Sequence, residues 1–178
     1  MTEKIGSKTM IVTTENLILR PFSPQDAPDL FAVYQTEGVL QYFPNQNPPP
    51  LPKLERFIAL QQAHWEKHGC GNWAVTLRSD PVSTLIGWAG LQYVPELGET
   101  EVGYLLGRPH WGKGYATEAA SASLKFGFEQ MQYNQIIALI AEENVGSRRV
   151  AAKCGLIYQN TLDLWGMRLM RHTRSAAG

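Results

Sequence analysis

Apolar residues along this chain follow two rhythms, one of period two and one near 3.6, and their alternation marks out the elements. Leu17-Ile18-Leu19-Arg20-Pro21-Phe22 reads as a first strand, ended by Pro21 and the Ser23-Pro24 pair. Ser23, Pro24 and Asp26 then start a helix, with a hydroxyl cap, a proline in the first turn and a carboxylate at the positive end of the dipole. Ala27, Leu30, Phe31 and Tyr34 follow at i, i+3, i+4 and i+7, which makes one face apolar. Tyr42 to Pro52 is too rich in proline for a helix or a central strand and reads as a loop of polyproline character. Leu54, Phe57, Ile58 and Trp65 resume a helical stripe at once. Tyr42 and Phe43 read as core plugs, with a pocket wall as the alternative.

Gly69, Gly71 and Asn72 break that second helix. Trp73 to Arg78, Leu85 to Val94 and Thr100 to Leu106 alternate as strands, joined by turns at Ser79-Asp80-Pro81 and Pro95-Glu96-Leu97-Gly98. They form an antiparallel meander. Ala116, Ala120, Leu124, Phe128 and Met131 recur at helical spacing. Gln135 to Ala141 is apolar on both faces, as a strand buried in a sheet after a helical crossover should be. Asn144 as N-cap and Gly155 as stop bound a short helix. Leu156 to His172 reads as a hairpin turning at Trp165-Gly166. The expected architecture is a mixed α+β single domain over 1–178, a central, mostly antiparallel sheet flanked by helices. Residues 1–16 form an N-terminal extension and 174–178 a frayed tail.

The chemistry concentrates where one strand ends and a long apolar-striped helix begins, at Trp111-Gly112-Lys113-Gly114-Tyr115-Ala116. A helix start carries N–H groups without partners and the positive end of a dipole, and glycines let the main chain come close to a bound anion. The junction is therefore suited to a phosphate or pyrophosphate, with Lys113 adding charge at the rim. It matches neither the Walker loop nor the dinucleotide fingerprint, and an ordinary glycine turn fits these residues equally well.

Composition narrows the partners. With 178 residues, 44% hydrophobic and 18% charged, the chain is a folded domain of ordinary size. Sixteen basic and sixteen acidic residues cancel, which argues against a nucleic-acid binder relying on broad phosphate neutralisation. The run Met10-Ile11-Val12 is too short for a signal-peptide core, and no stretch reaches membrane length. Cys70 and Cys154 match no metal spacing and read as free thiols of a reducing compartment, the cytoplasm.

In this order, Leu17 to Pro21, Ile86-Gly87, Glu101-Val102-Gly103-Tyr104, the turn from Trp111 to Ala119, and Glu143-Asn144 through Ser147 to Leu156 resemble the GCN5-related N-acetyltransferases. Within them the chain is most similar to the ribosomal-protein alanine acetyltransferases, the RimJ/RimL-like group. The resemblance implies a splayed sheet and acetyl-CoA as co-substrate, with no metal. It places the pyrophosphate on the main chain of Trp111, Gly112, Lys113, Gly114, Tyr115 and Ala116. The pantetheine arm would meet backbone groups of Leu105 and Leu106, and Asn144 and Ser147 would touch the cofactor, although both also fit a helix-cap role. The family usually has Gln or Arg where this chain has Trp111.

Transfer of an acetyl group to an amine needs the two reactants held together, a base for the amine proton and N–H donors for the charge on the thioester oxygen. The resemblance points to Glu101 as the base, and a main-chain N–H near Leu106 fits the oxygen. Glu118 would cap or orient the cofactor helix, and His110 reads as a solvated loop histidine. The position where many relatives carry a tyrosine acid is Ala151, which leaves water or a residue such as Tyr158 to protonate the thiolate. The acceptor wall falls on Tyr42, Phe43 and the proline stretch. The acceptor is an amine, either a protein N-terminus or a small molecule, and the protein a monomer or homodimer. A non-catalytic acyl-CoA-binding module of the same fold is the alternative, and a nucleotide-binding domain is disfavoured by the missing motifs.

Overall fold

A computed structural model of the chain describes residues 11–176. Among them eight strands form one sheet in the order β1-β2-β3-β4-β5-β6-β8-β7. The strands are β1 (Val12–Thr13), β2 (Leu17–Arg20), β3 (Asn72–Leu77), β4 (Leu85–Val94), β5 (Glu99–Leu106), β6 (Gln135–Ala141), β7 (Ile157–Leu164) and β8 (Met167–Ser175). Four helices flank them: α1 (Ala27–Tyr34), α2 (Leu51–His68), α3 (Tyr115–Glu129) and α4 (Val145–Lys153). Every pairing is antiparallel except β5 with β6, which follow one another through the α3 crossover.

The helices begin where the local chemistry directs. Ser23 and Asp26 form a capping box around a short 3-10 turn ahead of α1. Asp26 is buried and receives Arg20 through two bonds, at 2.6 and 2.8 Å, so the turn is locked to the end of β2. α2 starts earlier than its apolar stripe alone indicates. Pro50 is its N-cap and Pro52 sits in its first turn, where a missing N–H costs nothing. Leu54, Ile58 and Trp65 are its buried face.

Two apolar layers cover the sheet. On one face Trp73, Leu91, Leu124 and Ile136 are fully or almost fully buried beneath α3 and α4. On the other, Leu30, Leu54, Ile58 and Trp88 pack beneath α1 and α2. The hairpin β7-β8 turns at Trp165-Gly166. The tail runs further than expected, since Arg174 and Ser175 belong to β8 and pair with Ile136 and Gln135. The strand β1, unforeseen in the sequence, pairs with β2. Residues 1–10 of the expected N-terminal extension and residues 177–178 lie outside the described part.

Candidate functional site

The site is built on a gap in the sheet. β4 and β5 stay in register over eight residue pairs, whereas β5 and β6 meet at one, Glu101 with Ile137. Beyond it the strands part, and a cavity of about 280 Å³ opens between Glu101–Tyr104 and Ala138–Ala141. The pleat puts Glu101 on the same face as Gly103 and Leu105, toward α1 and α2. Its Oε1 accepts the Leu139 N–H at 3.3 Å. Burial pushes the carboxyl up to about 7 against the pull of that hydrogen bond. An acid poised there is half ionised at neutral pH, the condition a general base requires.

A second cavity, of about 410 Å³, runs from the gap to the start of α3. Tyr42, Phe43, Tyr104, Asn144, Ser147 and Val150 line both, so the two spaces are continuous. At the far end Gly112 and Gly114 take φ of 73° and 84°, the left-handed region that glycine enters freely. A Cβ at either would meet nothing within 4 Å, so the main chain there faces open space. The first bond inside α3 runs from the Glu118 N–H to the Gly114 carbonyl, at 3.0 Å. The N–H groups of Tyr115, Ala116 and Thr117 therefore have no intrahelical partner. A pyrophosphate fits this open, N–H-lined turn. Lys113 is exposed beside it, and Arg149 and Lys153, one turn apart on α4, line the same cavity.

The two leucines at the end of β5 part ways. The Gly107 N–H donates to the Ile86 carbonyl at 2.9 Å, and the Leu105 carbonyl points at Gly87, so the main chain of Leu105 belongs to the β4 ladder. By the alternation of an antiparallel pair, the Leu106 peptide turns to the other edge, into the gap. Its carbonyl is already taken: the Trp111 indole N–H donates to it at 2.7 Å. The Arg108 guanidinium lies over the Trp111 ring, 4.7 Å from its centre. Trp111 thus closes the end of the strand, while the N–H groups of Leu106 and Tyr104 turn toward the gap.

Asn144 caps α4 through a 3.0 Å bond from the Ser147 N–H, and both residues also line the cavities. Ala151 is buried and carries no proton. Tyr158 does not take its place. Its hydroxyl lies against that of Thr161 on the outer strand of the hairpin, away from both cavities. The hydroxyl side chains that line the gap are Tyr42, Tyr104 and Ser147, and burial pushes Tyr104 up to about 12. His110 is half-buried at the groove rather than solvated, its Nδ1 buried without a hydrogen-bond partner. Burial, and then the charge of Lys113, lower its pKa and keep it neutral.

Glu118 holds the cofactor helix from outside. It accepts from the Thr14 hydroxyl at 2.5 Å, the Asn16 N–H at 2.7 Å and the Asn16 side chain at 3.0 Å. The expectation that Tyr42 and Phe43 plug the core is corrected: Phe43 is 37% exposed, and both rings line the cavities, because the parted strands and the hairpin tip leave a cavity around them. Among the cavity residues that went unread in the sequence, three bear on the chemistry. Gln92 stands opposite Glu101 in the β4–β5 register, a position the turn between those strands would have supplied. Tyr104 follows Glu101 on the same strand, and Trp165 arrives from the hairpin tip, which no local pattern announces.

Residues 16–157 match the model of the acetyltransferase (GNAT) domain. YoaA of Bacillus subtilis, an uncharacterized N-acetyltransferase, is 29% identical over 157 residues and is covered, like this chain, to 85%. The acetyltransferase (GNAT family) from Bacillus anthracis aligns with a TM-score of 0.79 at 23% identity, over 95% of this chain and all of that one. RimL, a ribosomal L7/L12 α-N-protein acetyltransferase solved with coenzyme A, has the same TM-score at 13% identity, over 93% of this chain and 98% of its own. At those identities the two structures speak for the fold, while the family model spans most of the sequence. The chain belongs to the GNAT family and is an acetyl-CoA-dependent N-acetyltransferase.

Proposed function

We propose that this single catalytic domain transfers the acetyl group of acetyl-CoA to a primary amine by direct attack, with both substrates bound together. Acetyl-CoA supplies the activated thioester. The turn from Trp111 to Ala116 holds its pyrophosphate, and Asn144 and Ser147 border the arm that leads to the gap. Glu101 takes a proton from the amine, and the nitrogen lone pair forms the new bond to the acetyl carbon. The Leu106 N–H stabilises charge gathering on the acetyl oxygen. As the carbon–sulfur bond breaks, the electron pair stays on sulfur, and the Tyr104 hydroxyl on the same cavity returns a proton to it.

The observation that carries this reading is the position of Glu101: a half-buried carboxyl near neutrality on the cavity that opens where the strands part. Two unpaired buried thiols, Cys70 and Cys154, support a cytoplasmic setting. Calorimetric titration with CoA and acetyl-CoA, together with thiol release in the presence of amines, tests the reading. Binding by the wild type, lost in Gly114→Trp, and amine-dependent release are expected. Undiminished binding by Gly114→Trp would remove the pyrophosphate from this turn.

A further inference from the structure

The far wall of the gap is aromatic where it has least reason to be. Leu164 and Met167 pair across a two-residue turn in which Trp165 and Gly166 take φ of 53° and 75°. That is the geometry of a turn that favours Asn-Gly, and a tryptophan at its first position is strained. The ring is nonetheless 47% exposed, and it lines the cavity that holds Glu101. Its indole N–H donates to Glu96 at 2.9 Å, which pins the hairpin tip to the turn between β4 and β5. Tyr42 and Phe43 line the same space from the loop after α1.

Charge around this cavity is sparse. Among the described residues lining it, Glu101 is the one carboxylate, and no Lys, Arg or His joins it. Glu96, tied to the Trp165 indole, stands outside the lining, so within this cavity a second amine on the acceptor would find no anion and a carboxylate or phosphate no cation. At about 280 Å³ the space lies just below the roughly 300–1,000 Å³ of small-molecule sites, room enough for a compact amine body. Gln92, opposite Glu101, donates its Nε2 to the buried Asn72 Oδ1 at 3.4 Å. That bond leaves the Gln92 carbonyl to accept an amine N–H while Glu101 takes the proton.

We propose that the acceptor is a small arylalkylamine, one primary amine on an uncharged aromatic body, and that Trp165 with Tyr42 and Phe43 selects it. The proposal rests on the acetyl-transfer reading of the same cavity. Ring faces hold the aromatic body and attract the ammonium before its proton leaves. Gln92 is the positioning residue.

Thiol release from acetyl-CoA is measured with phenethylamine, hexylamine, spermidine, phenylalanine and an alanine-initiated peptide, in the wild type, Trp165→Asn and Trp165→Phe. Asparagine suits the turn, so this variant keeps the hairpin and removes only the ring and its tie to Glu96. Phenethylamine is expected to exceed every other acceptor in kcat/KM by about tenfold. Trp165→Asn should lose about tenfold for phenethylamine through KM, with the KM of acetyl-CoA and the melting temperature undiminished. Trp165→Phe should restore most of the loss. A preference for spermidine, hexylamine, phenylalanine or the peptide, or an unchanged KM in Trp165→Asn, would overturn the proposal. If no amine reacts, titration of phenethylamine into the CoA-saturated protein separates the two claims. Binding that is lost in Trp165→Asn upholds the acceptor class and contradicts the catalytic reading, and no binding overturns the acceptor class.

Discussion

The Leu139 N–H and the Glu101 carboxylate face each other across the opening between β5 and β6, 3.3 Å apart. The strands are too far apart there for a regular ladder, and the side chain fills the place of a main-chain acceptor. The same placement buries the carboxyl and raises its pKa to about 7 from an ordinary 4.5. A structural contact and a poised base are thus one feature.

Such a group makes the fold sensitive to pH in a definite direction. With its folded-state pKa above the unfolded value, Glu101 contributes stability that is fully present below 4.5 and is lost as pH rises through about 7. Glu101→Gln retains an acceptor for Leu139 and has nothing to ionise. Denaturation at pH 5 and pH 8 should show the variant gaining on the wild type at the higher pH, by on the order of a few kcal/mol at most. A gap that does not change with pH contradicts the burial of this carboxyl.

The Trp111 side chain turns inward to the Leu106 carbonyl under Arg108. Trp111→Ala removes both the hydrogen bond and the stacked ring, so the end of β5 is no longer tied to the turn. The KM for acetyl-CoA should rise about tenfold with the acceptor KM unchanged, and Trp111→Phe should fall between. Initial-rate kinetics with each substrate varied checks this, and an unchanged acetyl-CoA KM contradicts it.

Much of this arrangement was legible from residue spacing, because the relevant signals are local. The capping box at Ser23 and Asp26, the glycines at 112 and 114, the short helix between Asn144 and Gly155 and the turn at Trp165-Gly166 each depend on neighbours a few positions away. Features set by distant partners were not legible. Phe43 looks like a core residue until the parted strands and the hairpin tip are placed around it as a cavity. Trp165 looks like an ordinary turn residue until its strands are placed beside β6. Tyr158 falls near the right helix in sequence, yet the pleat and its position on the edge strand take it away from the gap. The depth of Glu101 depends on where β6 stops following β5, which no spacing within either strand reveals.

Glu118 ties the first turn of α3 to Thr14 and Asn16, near the other edge of the sheet. Burial opposes its charge, but those hydrogen bonds outweigh it and hold the carboxyl below the ordinary 4.5. Its stabilisation is therefore present above 4.5 and lost as pH falls through the lower folded value. Glu118→Ala should cost about 1 kcal/mol at pH 7 and less at pH 3, by urea denaturation. An equal cost at both values contradicts the hydrogen-bonded carboxylate.

The dependence of kcat/KM on pH, in the wild type and Glu101→Gln, tests the central claim most directly, because it reports the ionisation of the free enzyme's base. The wild type should rise with pH below about 7 and level off above it. Glu101→Gln should be slower by roughly 10²–10⁴ and should lack that limb. A wild-type limb near 4.5, or the same limb surviving in Glu101→Gln, would contradict the assignment of Glu101 as the base.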